Sequence, residues 1–258
     1  MQLSGVTIAL RQRSPWEATD LGIALVREHA RRIFAAWCLV TLPIFVLVNA
    51  LGVVIGAPWA ALLAMWWLKP LFDRIPLYAI SRAVFGNTPG VAEIVRAQFT
   101  WGWREIGPWL LWRRLHPGRL LLLSVDLLEG VTGDKRSERV RVLTRGDAGP
   151  RNQLVVLGVE FELVLSVALV MTGLMFVPSE FLSAEATNTF QHLFQHPPIW
   201  AQLVVNGCVW FGTSLCEPFL VGAGFGLYLN RRVQLEAWDV EHAFRRMAAR
   251  LALRPSNV

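Results

Sequence analysis

The sequence predicts an all-α, polytopic integral membrane protein with about four transmembrane helices and amphipathic interfacial helices on the cytoplasmic side. Three observations predict it. Of 258 residues, 54% are hydrophobic and 17% charged, and mean hydropathy is +0.42. That apolar excess needs lipid around it. Apolar runs of spanning length occur at 33–51, 154–177 and 199–229. The 25 Lys and Arg residues are absent from 179–199, which puts that segment in the periplasm and the basic segments in the cytoplasm.

Residues 1–32 read as an amphipathic N-terminal helix. Ser14 can cap it, Pro15 suits its first position, and Glu17 completes a capping box. Two placements are open, flat on the membrane surface or packed on the bundle. Residues 1–30 have several charges and no clean apolar core, so an uncleaved first span is expected rather than a signal peptide. Residues 33–72 read as a transmembrane hairpin with Pro43 in its first limb and a turn at Gly52, Gly56 and Pro58. Its second limb, 59–72, is short. It spans with Lys69 snorkelling, or it is re-entrant; the favoured form continues past a bend at Pro70 or Pro76 into 77–85.

Residues 73–151 read as cytoplasmic and interfacial. Thr88-Pro89 starts a helix with an apolar stripe of Val91, Val95, Phe99, Trp103, Ile106 and Leu110, broken at Gly107-Pro108. Its charges forbid a comfortable crossing, since each central charge costs roughly 2.5–3.5 kcal/mol. Trp101, Trp103, Trp109 and Trp112 suit the interface. The run 120–128 is apolar but short, and reads as interfacial or half-inserted. Residues 134–151 read as a basic, solvated loop. Residues 152–229 form a second transmembrane hairpin around the periplasmic loop 179–199, and 230–258 a cytoplasmic C-terminal helix.

Net charge is +6, and the basic residues flank apolar spans. That placement favours anionic lipid headgroups as a partner over nucleic acid. Cys38, Cys208 and Cys216 lie in apolar segments without metal or disulfide spacing. His192 and His196, with Glu185 upstream, are too few for a zinc site. No phosphate loop, HExxH or GxSxG is present. The expectation is no cofactor, no metal and no catalytic site.

Polar residues inside apolar runs are the candidate sites. Asn206, Thr213, Glu217 and Gly224 share one face of the last span, and Pro218 frees a carbonyl beside Glu217. Glu217 is a relay point or a buried residue bonded to a neighbouring helix. Glu160 and Glu162 are either interfacial acids paired with Arg231, Arg232 or Arg151, or they place Glu160 with Glu217 in one cavity. After the last span, Arg231, Arg232, Glu236, Asp239 and Glu241 can lock a cytoplasmic helix to the Trp101–Trp103 region through Arg–carboxylate bonds and present a docking surface.

Two stretches carry a family resemblance. One is Arg11-x-Arg13-Ser14-Pro15-Trp16-Glu17-Ala18-x-Asp20-Leu21-Gly22 and the other Tyr228-Leu229-Asn230-Arg231-Arg232-Val233-Gln234-Leu235-Glu236-Ala237-Trp238-Asp239-Val240-Glu241. Together they resemble the membrane domain of bacterial glycerophosphoryl diester phosphodiesterases. They also resemble stand-alone membrane proteins found near MoxR-type AAA+ ATPases and transglutaminase-like membrane proteins. The resemblance implies a membrane module without chemistry of its own, and the residues after Leu229 are too few for a phosphodiesterase domain. The expected function is a non-catalytic inner-membrane scaffold or partner subunit, docking a MoxR-type ATPase or a co-resident membrane protein, with N- and C-termini cytoplasmic. The alternative is a small transporter or channel component using Glu217 and Glu160. An enzyme acting on lipid is the least favoured.

Overall fold

The computed structural model describes residues 11–145, 148–175 and 198–236, apart from the side chains of Glu105 and Leu174. The expectations for Glu185, His192, His196, Asp239 and Glu241 lie outside these residues. The described chain is helical throughout: α1 (Pro15–Glu28), α2 (Ala30–Ile55), α3 (Trp59–Phe72), α4 (Arg74–Val84), α5 (Val91–Ala97), α6 (Trp103–Leu111), a 3-10 turn (Arg113–Leu115), α7 (Arg119–Glu129), α8 (Gly133–Thr144), α9 (Ala148–Met175) and α10 (Ile199–Glu236).

Three of these helices, α2, α9 and α10, are long and apolar enough to cross a membrane. Helix α3 has 14 residues, roughly 21 Å at 1.5 Å per residue, against a hydrocarbon core of about 30 Å. Gly56, at φ +75°, closes α2 in the left-handed conformation and turns the chain into α3. Exposed side chains on the long helices are apolar: Leu47 and Val54 on α2, Phe161 and Met171 on α9, Val204 and Phe211 on α10. They form a continuous type of surface that lipid, not water, would solvate.

Helix α10 changes character along its length. Its first half exposes that apolar surface, whereas every residue from Val221 to Asn230 is buried. The second half is enclosed by α1, α4, α7 and α8. A helix apolar on all sides must be surrounded by protein or lipid; here protein surrounds it. The same rule explains α7. Residues 120–127 are buried by the rest of the chain, so this run is part of a packed cap and not a half-inserted segment.

Helix α1 packs along α10 in the most extensive helix–helix contact among the described residues. Ala18 and Gly22 face Gly222 and Gly226, two small pairs each four residues apart, and backbones meet there. A Cβ on Gly22 would lie 1.9 Å from the Gly222 carbonyl oxygen, and one on Gly226 would lie 2.0 Å from that of Ala18. Ser14 caps α1 by accepting from the Glu17 N–H at 3.2 Å. The side chain of Asn230 then ties the start of α1 to α10: its oxygen accepts from the Arg13 N–H and its amide donates to the Arg13 carbonyl, each at 2.9 Å. The two stretches that carry the resemblance are joined at this point.

Three local expectations change. The helix expected from Thr88-Pro89 begins at Val91, and the break falls at 98–102, where Gly102 takes φ +76°, instead of at Gly107-Pro108, which lie within α6. Ile94, Ala97 and Ile106 are buried, while Phe99 and Trp103 of the expected stripe are exposed. The basic loop is also shorter. Residues 133–144 form α8, and α9 begins at Ala148. Arg136 and Arg139 of α8 reach back to Asp126 and Glu129 on α7, so carboxylates on a neighbouring helix organise a segment whose own composition is that of a solvated stretch.

Candidate functional site: a charged cluster beneath a cavity between α3 and α9

Glu217 is the centre of a group of ionisable residues drawn from four helices. It is fully buried on α10. Lys69, near the end of α3 and 4% exposed, lies 2.7 Å from a Glu217 oxygen and 2.5 Å from a Glu162 oxygen on α9. Thr213, one turn before Glu217, donates to the other Glu162 oxygen. Arg119, at the start of α7, approaches Glu217 Oε1 at 3.8 Å. Asp73, which follows α3 and is 5% exposed, adds a third buried carboxylate near Glu217.

Lys69 does not snorkel to headgroups. It turns inward because two carboxylates wait there, and a lysine in low dielectric is stabilised far more by close anions than by an apolar surround. The alternative that placed Glu160 with Glu217 in one cavity is corrected too. Glu160 is exposed and Glu162 faces α10, since two residues in a helix are about 200° apart around its axis. Nor does either acid pair with Arg151, Arg231 or Arg232 among the described contacts: Glu162 is taken by Lys69 and Thr213.

The polar face of α10 forms as its spacing suggests, with a different partner at each step. Asn206 donates to Asn49 Oδ1 at 2.8 Å and to the Pro58 carbonyl at 3.0 Å, at the far end of the α2–α3 hairpin. Thr213 and Glu217 meet α9 and α3. Gly224 admits α7: a Cβ there would lie 2.5 Å from the Leu120 carbonyl oxygen.

Above the cluster is a cavity of about 660 Å³. Helices α3 and α9 both pack on α10 but do not pack closely on each other; the Lys69–Glu162 bond bridges them at the floor. Trp37, Phe45, Leu62 and Val209 supply apolar wall, Asn206 lies towards one end, and Lys69, Glu162 and Arg119 towards the other. Trp37 is fixed by donating to the Ser214 hydroxyl at 3.0 Å, and Trp210 stacks on Phe45 with centroids 5.2 Å apart.

Arg114 holds the short helix α3 beside the cavity. Pro70 lacks the N–H that would bond the Trp66 carbonyl. Arg114 replaces it, donating to the carbonyls of Trp66 at 2.8 Å and Trp67 at 3.1 Å, while its guanidinium lies 3.6 Å from the Trp66 ring centroid. Arg114→Lys should lose the second bond and the planar stacking. We expect thermal unfolding in detergent to register a loss of about 1–3 kcal/mol; unchanged stability would count against the capping role.

His116 stands at the cavity edge. Its Nδ1 accepts from the Gly118 N–H at 2.9 Å. Burial, with Arg151 and Arg136 nearby, pulls the ring below the usual histidine range, so it adds no charge to the cavity at neutral pH.

The residues expected to dock a partner spend their polar groups within the chain. Arg232 bonds Glu236 and Tyr228, Arg139 bonds Glu129 and Glu236, and Arg231 donates to the carbonyls of Leu143 and Arg145. Trp101 packs edge-on against Tyr78 and its carbonyl accepts from Arg74. Trp103 is half exposed with Arg74 over its ring. Arg74 is itself buried, which lowers its pKa to about 10, and the Gln98 and Trp101 carbonyls receive its charge. Sequence reasoning missed Asp73, Arg114, Arg119 and Asn49. The usable signal was Lys69: one of two lysines in the chain, set in an apolar run.

Compared with protein-family models, curated proteins and solved structures, the chain matches none.

Proposed function

We propose that this chain is a non-catalytic subunit of the bacterial inner membrane that holds a ligand within the bilayer, with both termini cytoplasmic. The cavity between α3 and α9, floored by Lys69, Glu162 and Glu217, carries the proposal. Buried ion pairs are poor stabilisers, because apolar replacements are often neutral or better. Charges set under a cavity among membrane helices therefore suit binding or transport more than folding. This develops the transporter alternative with Glu162 in the place of Glu160.

The arginine distribution supports the orientation. Arg113, Arg136, Arg139 and Arg232 belong to the helical cap at one end of the apolar surface, and the Gly56 turn lies at the other. In this arrangement α3 is the fourth crossing. Local thinning of the bilayer and the interfacial Trp66 and Trp67 accommodate its length.

The resemblance supports a second role beside the first: the cap docks a MoxR-type AAA+ ATPase or a co-resident membrane protein, resting on anionic headgroups. Its rigidity favours this, since Asp126, Glu129 and Glu236 are each held by arginines.

Native mass spectrometry of protein released from mild detergent tests the main proposal. Wild type is expected to retain a small molecule at fixed stoichiometry. Val159→Trp, which narrows the gap from its exposed side, is expected to lower that occupancy about ten-fold or more. A wild type that retains nothing, or a species kept equally by the variant, contradicts the proposal.

A further inference from the structure

The cavity has a chemical polarity that narrows its ligand. Three cations line it, Lys69, Arg114 and Arg119, against one lining carboxylate, Glu162, with Glu217 buried behind Lys69 and Arg119. Two of the cations are already occupied: Lys69 by Glu162 and Glu217, Arg114 by two carbonyls and a tryptophan ring. Arg119 differs. Its side chain is 14% exposed, meets Glu217 only at 3.8 Å, and donates no side-chain hydrogen bond among the described residues. A guanidinium carries five donors in a planar fork that matches a carboxylate or a phosphate. Set 3.8 Å from Glu217 and with no side-chain hydrogen bond among the described residues, the fork keeps donors open to an anion placed against it.

Thr41 and Trp210 also line the same space. Thr41 is fully buried on α2, and its hydroxyl has no hydrogen-bond partner among the described residues; the Trp210 indole N–H has none either. Both sit among otherwise apolar wall. The cavity thus has a cationic end and a long apolar body. Its volume of about 660 Å³ falls inside the roughly 300–1,000 Å³ of small-molecule sites.

The rim shows where a ligand comes from. Leu63 and Trp66 of α3, Leu115, and Val159 and Leu163 of α9 line the cavity and are also exposed. The opening therefore faces the surface that lipid would solvate. Water-soluble anions would have to cross apolar surface to reach it.

We propose that the cavity takes a membrane amphiphile with an anionic headgroup, a phosphate or carboxylate, entering sideways between α3 and α9, and that Arg119 reads the headgroup. The apolar chain lies along α10 towards Asn206. This rests on the ligand-holding function above and names its ligand class.

The test is titration of delipidated, full-length protein in non-ionic detergent. The probes are short-chain phosphatidylglycerol, laurate, phosphatidylcholine of the same chain length, an alkyltrimethylammonium amphiphile and inorganic phosphate. Phosphatidylglycerol and laurate are expected to bind and to raise the unfolding temperature, with the zwitterionic and cationic probes about ten-fold weaker or worse. Arg119→Gln should weaken the anionic probes about 10- to 100-fold and leave the others unchanged. If that variant does not fold, Arg119→Lys, which keeps charge without the fork, should still weaken them several-fold.

Inorganic phosphate binding as tightly as phosphatidylglycerol would overturn the membrane source of the ligand. Equal affinity for anionic, zwitterionic and cationic probes, or an Arg119 variant of full affinity, would overturn the headgroup assignment while leaving the ligand-holding function standing. Failure of every probe, together with no retained molecule in mass spectrometry, would overturn both.

Discussion

Gly22→Val is expected to abolish the folded protein. The Cβ of any residue at 22 would lie 1.9 Å from the Gly222 carbonyl oxygen and 2.6 Å from its carbon. These are backbone atoms inside a helix and cannot step aside as a side chain would. The clash can be relieved only by separating α1 from α10, which also breaks the Asn230–Arg13 bonds and uncovers the buried half of α10. A loss above about 4 kcal/mol is expected, in the range reached only by severe overpacking and its kin. The readout is the yield of monodisperse protein and its unfolding temperature. Gly107→Ala is the control: a Cβ there meets nothing within 4 Å, and alanine should be neutral or stabilising by up to about 1 kcal/mol. Near-normal yield and stability of Gly22→Val would mean that the α1–α10 contact is not as drawn.

Lys69→Met is expected to be the most damaging single change within the charged cluster. It leaves Glu162 and Glu217 facing each other across the cavity floor without the ammonium group that joins them. Breaking a buried pair by removing one partner costs about 3–5 kcal/mol, most of it the uncompensated charge left behind. Lys69→Met/Glu162→Gln/Glu217→Gln removes the anions as well and should recover most of that loss. The single and triple variants compared by thermal unfolding therefore separate charge balance from packing. A triple variant as unstable as Lys69→Met would show that the lysine acts through its shape. A recovered triple variant that no longer retains ligand would place the cluster in binding.

Much of the fold was legible because it rests on local physics. Helices α2, α9 and α10, long and apolar enough to span, follow from apolar length, the Ser14 cap and Gly56 turn from residue chemistry, and the polar face of α10 from its spacing. The parts that were not legible depend on partners distant in the chain. Lys69 at the end of an apolar run looks like a snorkelling anchor unless α9, 93 residues on, presents Glu162 to it. Helical geometry does place Glu160 and Glu162 on different faces, but it cannot say which face meets α10. The run 120–128 is too short to span, and nothing in it shows that α10 will bury it. Likewise Gly22, Gly222 and Gly226 acquire meaning only once α1 lies across α10. Arg114 could not be predicted as a cap for carbonyls at Trp66 and Trp67, because only the folded chain brings it to Pro70.

The account stands on the cavity between α3 and α9 being a ligand site open to the bilayer. The most direct measurement places a photoreactive phenylalanine analogue at Leu62, which lines the cavity, or at Val54, which is 83% exposed on the apolar surface, and irradiates intact membranes. The account predicts that position 62 captures one selective class of small amphiphile, anionic in headgroup and lost when Arg119 is replaced by Gln, while position 54 captures bulk lipid without preference. Position 62 yielding no small-molecule adduct, or the same unselective mixture as position 54, would contradict it.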